Sequence, residues 1–206
     1  MSDDKPVHRR GFFRQGLLQL LKPIAQAIEP IERAAAQLER LDSPPPAAWL
    51  RPPGALDEPL FKETCSRSGN CTRVCPANCI KIDRTGNKGD GAPYVDANNL
   101  ACVVCTSLAC MQACPSGALV PTPAVEIDMG TALWHEDRCV RTAGAECTVC
   151  VEVCPMGEKA IHTNGRRIEV NPDACVGCGL CQQHCPTKPK SIEVIPRGHP
   201  RKSNHR

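Results

Sequence analysis

The sequence predicts an α+β fold with little regular secondary structure, and three observations carry that prediction. Sixteen of the 206 residues are cysteine. The body from Cys65 to about Ile195 repeats itself four times, each unit closing on Cys-Pro. Short strand-like runs lie between the repeats, at 91–96, 124–128, 166–170 and 191–195, and each cysteine loop leads toward a short helical turn. The apolar share of 41 % counts the cysteines, and aromatic residues supply only 3 %. With so little apolar surface to bury, the body must gain stability from disulfides or from coordinated metal.

Residues 1–42 carry no cysteine and read as a helical N-terminal arm, with Phe13, Leu17, Leu20, Leu21, Ile24, Ile28 and Ile31 at roughly helical spacing. Pro23 and Pro30 interrupt it, so two short helices fit as well as one. Arg9-Arg10 followed by Phe12 resembles a twin-arginine export signal, which would carry a folded, cofactor-loaded protein to the periplasm. However, Gln19, Lys22, Pro23 and Gln26 break the apolar stretch such a signal needs, and the small-residue run Ala34-Ala35-Ala36 follows charged residues. The expectation is therefore a retained amphipathic arm on a cytoplasmic or membrane-peripheral protein, with Arg9, Arg10, Arg14 and Lys22 facing anionic lipid or a partner subunit. Periplasmic export is the alternative.

Residues 43–60 are expected to form a proline-rich linker, since six prolines favour extended backbone. Residues 61–195 form the cysteine-bearing body, and 196–206 a basic, frayed tail. The net charge of +3 is spread along the chain and no aromatic residues interleave the lysines and arginines, which argues against nucleic acid as a partner. No stretch reaches the roughly 18 apolar residues that would cross a bilayer.

The fourth unit places Cys175, Cys178, Cys181 and Cys185 at C-x2-C-x2-C-x3-C-P, the spacing of a bacterial ferredoxin run. Three thiolates on a loop that Gly177 and Gly179 let curl can reach three irons of one cubane, and the fourth, before Pro186, points away to the other cluster of a pair. The second unit keeps this logic with Cys102, Cys105, Cys110 and Cys114, and the third with Cys139, Cys147, Cys150 and Cys154. Only loop lengths differ, and these are cheap to vary.

The first unit has Cys65, Cys71 and Cys75, but Ser68 sits where the second ligand is expected. Cys79 is an additional cysteine four residues after Cys75 and is expected to swing in as the replacement. The alternatives are a three-iron cluster on the remaining thiolates and ligation by Ser68 through oxygen, the poorest match because a hard alkoxide suits this iron less well than thiolate.

Disulfides are a poor account of i,i+3 cysteines in tight loops and explain none of the Cys-Pro recurrences. Zinc ribbons use two C-x2-C pairs per ion, whereas runs of three or four thiolates recur here. His184 reads as a solvated loop residue, and Trp49, Trp134 and Met111 as packing residues. The triplets Gly89-Asp90-Gly91 and Gly177-Cys178-Gly179 do not extend to a dinucleotide fingerprint.

From LRPPGALDEPLF into the first unit, and then through the spacings of the other three in their order, about residues 49–195 resemble the ferredoxin-type proteins of the NapG and MauM group, in the 4Fe-4S dicluster ferredoxin family. The resemblance implies two bacterial-ferredoxin-like dicluster modules holding about four 4Fe-4S clusters, one of them 3Fe-4S if the first unit lacks a fourth thiolate. It implies an electron carrier serving redox protein partners, among them a membrane quinol dehydrogenase subunit. It further implies that the first unit pairs with the fourth and the second with the third. That pairing would join Cys102, Cys105, Cys110 with Cys154, Cys139, Cys147, Cys150 with Cys114, Cys175, Cys178, Cys181 with Cys75, and Cys65, Cys71 with Cys185 and either Cys79 or Ser68. Two other function classes compete: a catalytic iron–sulfur enzyme using an open iron at the first unit, for which the chain leaves no room for a substrate domain, and a structural zinc protein.

Overall fold

The computed structural model describes residues 49–82 and 91–198. The expected helical arm with its export signal, the start of the linker, Gly89-Asp90 of one triplet and most of the basic tail lie outside the described residues. The chain divides into two units, Met1–Ala47 and Ala48–Arg206, and the described residues belong to the second.

That second unit is built twice from one plan. Its first half runs α1 (Glu58–Thr64), α2 (Asn70–Val74), β1 (Ile80–Ile82), β2 (Pro93–Val95) and α3 (Ala109–Gln112). Its second half runs β3 (Gly130–Trp134), α4 (Val149–Glu152), β4 (Ile161–Asn164), β5 (Arg167–Val170), α5 (Leu180–His184) and β6 (Ile192–Pro196). In the second half β3 pairs antiparallel with β6, and β4 with β5 inside it. The first half repeats this with β1 against β2 as the inner pair and a single bridge, Ala55 to Leu119, as the outer one. A cysteine loop and a four- or five-residue helix occupy each connection between outer and inner strand.

The helices are short because both ends are constrained. Gly69, Leu108 and Gly179 enter α2, α3 and α5 in the left-handed region, and the chain must leave helical angles before each Cys-Pro. Cys75 and Cys185 accordingly stand at ψ 111° and 124°.

Three strand readings differ from the structure. The run at 124–128 begins as a single 3-10 turn, Ala124–Glu126, and the strand follows at Gly130–Trp134. Strands β1 and β4, three and four residues long, escape the sequence reading because so few residues show no alternation.

From Trp49 onward the expected linker belongs to the folded body. Leu50 C=O accepts from Val95 N–H at 2.8 Å, and Gly54 C=O from Val120 N–H at 2.8 Å. Arg51 grips both carboxylate oxygens of Glu58 at 2.8 and 2.6 Å and lies 4.9 Å over the fully buried Phe61 ring. Burial opposes charge on Glu58, but Arg51, and then Lys62, more than offset it and hold the carboxyl below its usual range. Extended proline backbone serves here as a clasp on the first half, Pro52 and Pro53 being almost completely buried.

The apolar core is thin, as its composition demands. Phe61, Ile80, Val95, Met111 and Leu119 pack in the first half, and Ala132, Ile161, Ile168 and Ile192 in the second, with cysteines forming much of the wall in both. Hydrogen bonds join the halves. Cys102 N–H donates to Cys178 C=O at 3.0 Å, and Ala101 N–H to Gln183 Oε1 at 2.7 Å. Buried Gln182 donates to Asn98 Oδ1 at 2.9 Å while its own Oε1 accepts from Val194 N–H at 2.6 Å.

Trp49 stacks obliquely on Tyr94 at 5.1 Å, Trp134 lies under Arg167 at 5.4 Å, and Met111 is buried. His184 is exposed in the last turn of α5, 3.1 Å from Leu180 C=O.

Candidate metal centres

All sixteen cysteines are free of disulfides. They gather into four groups, and in every group the early cysteines of one unit meet the Cys-Pro cysteine of its sequence neighbour. Cys65, Cys71 and Ser68 face Cys114 around one cavity (the first centre). Cys102, Cys105 and Cys110 face Cys75, with Cys79, around another (the second). Cys175, Cys178 and Cys181 face Cys154 around a third cavity (the fourth centre). For the third, burial and then the charges of Cys147 and Cys139 push Cys150 up to about 11, and Cys185 adds to that rise.

This partnering corrects the pairing implied above. Units one and two pair, and units three and four, rather than one with four and two with three. The cause is the strand plan: β1 and β2 sit between the first two units, and β3 and β6 enclose the last two, so each half closes on itself.

Cys79 is corrected as well. It does not join Cys65 and Cys71. After Cys75-Pro76 the chain turns tightly, with Asn78 at φ 51° and Asn78 N–H donating to Cys75 C=O at 3.0 Å. The turn sets Cys79 Sγ 3.5 Å from Cys75 Sγ. A hydrogen bond to Cys102 and then burial push the Cys79 thiol far up, while the same bond, against the opposing effect of burial, brings Cys102 down to about 7. Cys79 thus belongs with Cys75 and Cys102 at the second centre. Replacing Cys79 with alanine is expected to leave iron and sulfide content unchanged; a loss of iron would make it a ligand instead.

Backbone N–H groups aim at the sulfurs from several sides: Val104 at Cys102 (3.4 Å), Leu119 at Cys114 (3.4 Å) and Ala132 at Cys175 (3.5 Å). At Cys114 burial opposes the thiolate, yet Leu119 N–H and Ser116 together hold the thiol below its usual range. Cys185 has Thr187 Oγ1 at 3.1 Å and Ser191 Oγ at 3.2 Å; these hydroxyls outweigh burial and bring it down to about 7. Hydroxyl donors to a ligand sulfur favour the more negative, reduced state. Ser191→Ala is expected to lower the potential of the third centre by on the order of 40 mV, the equivalent of one such hydrogen bond, as read by potentiometric titration.

Elsewhere burial dominates. It pushes Cys71 up to about 11 and Cys110 and Cys178 to about 12, and raises Cys181 further. Loading with iron must therefore expel protons, and rising pH favours it.

The residues fit an iron–sulfur cluster better than a single ion. Among the described residues no three cysteine, histidine or carboxylate side chains close on one ion, whereas zinc holds sulfur at about 2.3 Å. The thiols instead line shared cavities in threes from one loop with a fourth from another, the donor set of a cluster bound through four separate irons. A doubled strand plan with this exchange of cysteines defines a ferredoxin-type protein of two dicluster modules.

Comparison with known proteins agrees. Two family models match, each described as a 4Fe-4S dicluster domain, at residues 64–118 and 131–186. The chain is 38% identical over 164 residues to the methylamine utilization ferredoxin-type protein MauM of Methylorubrum extorquens, covering 73% of this chain and 74% of the relative. It is 34% identical to MauM of Paracoccus denitrificans, covering 79% and 78%. It is 34% identical to the ferredoxin-type protein NapG of Escherichia coli, covering 71% and 70%. The chain belongs to the MauM and NapG family of ferredoxin-type proteins. It is an iron–sulfur electron-transfer protein whose two dicluster domains and sixteen cysteines fit about four 4Fe-4S clusters.

Proposed function

We propose that the chain is a four-centre electron relay connected in the order first, second, fourth, third. Its ligands are Cys65, Cys71 and Cys114 at the first centre, Cys75, Cys102, Cys105 and Cys110 at the second, Cys154, Cys175, Cys178 and Cys181 at the fourth, and Cys139, Cys147, Cys150 and Cys185 at the third. Iron–sulfur clusters bound at these sites accept and donate single electrons. The chain's own residues hold the sites in a row, keep water from their inner faces and aim N–H and O–H groups at the sulfurs.

The observation that carries the order is the hydrogen bond from Cys102 N–H to Cys178 C=O at 3.0 Å. Each partner in it is a ligand candidate, so the loops of the second and fourth centres touch directly. The charge of Cys102 also contributes to raising the Cys178 thiol. Within each half, the exchanged cysteines Cys75 and Cys114, or Cys154 and Cys185, link the remaining centres. The first and third centres lie at the two ends, where redox proteins dock. Redox proteins are the partners on this reading, a membrane quinol dehydrogenase subunit among them.

Anaerobically purified protein tests the reading. Iron and acid-labile sulfide in near-equal amounts, close to four cubanes per chain, and uptake of about four electrons on reductive titration are expected. Zinc without sulfide would reject it.

A further inference from the structure

The loop of the first unit has the backbone of the fourth. Arg67 and Gly69 stand at φ 56° and 72° on either side of Ser68, as Gly177 and Gly179 stand at 69° and 91° on either side of Cys178. For Arg67 that angle is uncommon, because a side chain crowds the carbonyl there, so the loop keeps the ligand-presenting conformation against its own residue preference. The correspondence reaches the hydrogen bonds. Asn70 N–H approaches Ser68 Oγ at 3.5 Å, and Leu180 N–H, also two residues on, donates to the Cys178 side chain. Ser68 therefore occupies the ligand position and lines the same cavity as Cys65, Cys71 and Cys114.

No other thiol is at hand to replace it. Cys79, the sequence's candidate, is committed to the second centre at 3.5 Å from Cys75 and in hydrogen bond with Cys102. The remaining cysteines belong to the other three groups. The first centre thus has three thiols and a hydroxyl, and Ser68 is exposed, so water competes for whatever sits at that corner. A serine hydroxyl must lose a far less acidic proton than a thiol to ligate, and its hard oxygen is a poor match for sulfide-bridged iron.

We infer that the first centre, on the four-centre reading given above, holds a three-iron 3Fe-4S cluster on Cys65, Cys71 and Cys114, with Ser68 marking the corner where iron is not retained. Its surroundings are positive as well. Arg73 donates to Ser68 C=O at 3.3 Å and Arg67 to Cys65 C=O at 3.0 Å. One thiolate fewer and two guanidinium groups at the loop favour the reduced state, which makes this end of the relay the electron-accepting one.

The test uses the full chain, purified anaerobically, as wild type and as Ser68→Cys handled identically. An oxidised three-iron cluster is paramagnetic whereas oxidised cubanes are silent. Wild type is expected to give a three-iron EPR signal at the chain concentration, and Ser68→Cys to lose that signal and gain about one iron per chain. Potentiometric titration should show a drop in the potential of this centre in the variant. Wild type without the signal, or a variant that keeps it, overturns the inference while a full complement of iron and sulfide leaves the four-centre reading intact. Protein lacking sulfide overturns that reading itself.

Discussion

Cys178→Ala/Cys181→Ala protein is expected to hold about four fewer irons and four fewer sulfides per chain than wild type, and to melt about 10 °C lower or more. Two thiols would remain around the fourth cavity, too few to hold a cluster, and the one cysteine assigned to no cluster, Cys79, lines the second cavity instead. The stability loss follows because both side chains are buried and Cys181 packs against Ile168 and Ile192 in the second half. In so thin a core, a metal centre replaces much of what apolar packing supplies elsewhere. The variant also separates the two ends of the relay. The first and second centres should still reduce with dithionite, while electron transfer through to the third stops. Iron and sulfide analysis, thermal melting and EPR of each centre read these outcomes separately. Sustained throughput would disprove the proposed order.

Gly177→Val should be nearly as damaging without touching a ligand. A Cβ at Gly177 would lie 2.5 Å from the backbone N and O of Gly130, and the residue is held at φ 69°. Neither set of atoms can yield, since Gly130 itself begins β3 opposite Pro196. Left-handed strain of roughly 1–2 kcal/mol adds to overpacking of roughly 1–3 kcal/mol, giving a loss of about 2–5 kcal/mol in denaturant unfolding. Gly165→Ala is the control. It sits at φ 57° with nothing within 4 Å of the position a Cβ would take, so it should lose only the strain of roughly 1–2 kcal/mol. Equal losses in the two variants would show that the contact with β3 is unimportant.

The chemistry of this protein was legible in its cysteines. Thiols two residues apart on a glycine-rich loop, followed by Cys-Pro, imply a cubane wherever they occur, because the loop itself supplies the geometry. For the same reason Ser68 stands out as an exception from spacing alone. The four short helices were equally accessible, since the Cys-Pro step that ends each of them is local. Strands β2, β5 and β6 carried enough alternating apolar residues to be read, whereas β1 and β4 were too short. The proline-rich stretch misled: extended backbone reads as a spacer, and only the contacts of Leu50, Arg51 and Gly54 reveal a clasp.

What local spacing holds, then, is the type of centre, the early thiols of each loop and the missing ligand at position 68. Which loop supplies the fourth thiol depends on strand pairing between segments far apart in the chain, and spacing carries no information about that. The same applies to Cys79, whose place follows from a turn at Asn78 that sends it toward Cys102 and away from Cys65. The contact of Cys102 with Cys178 spans the two halves. Gly179 permits that approach, since a Cβ there would stand 2.5 Å from Ala97 Cβ in the other half, and so the proposed order of the relay rests on packing.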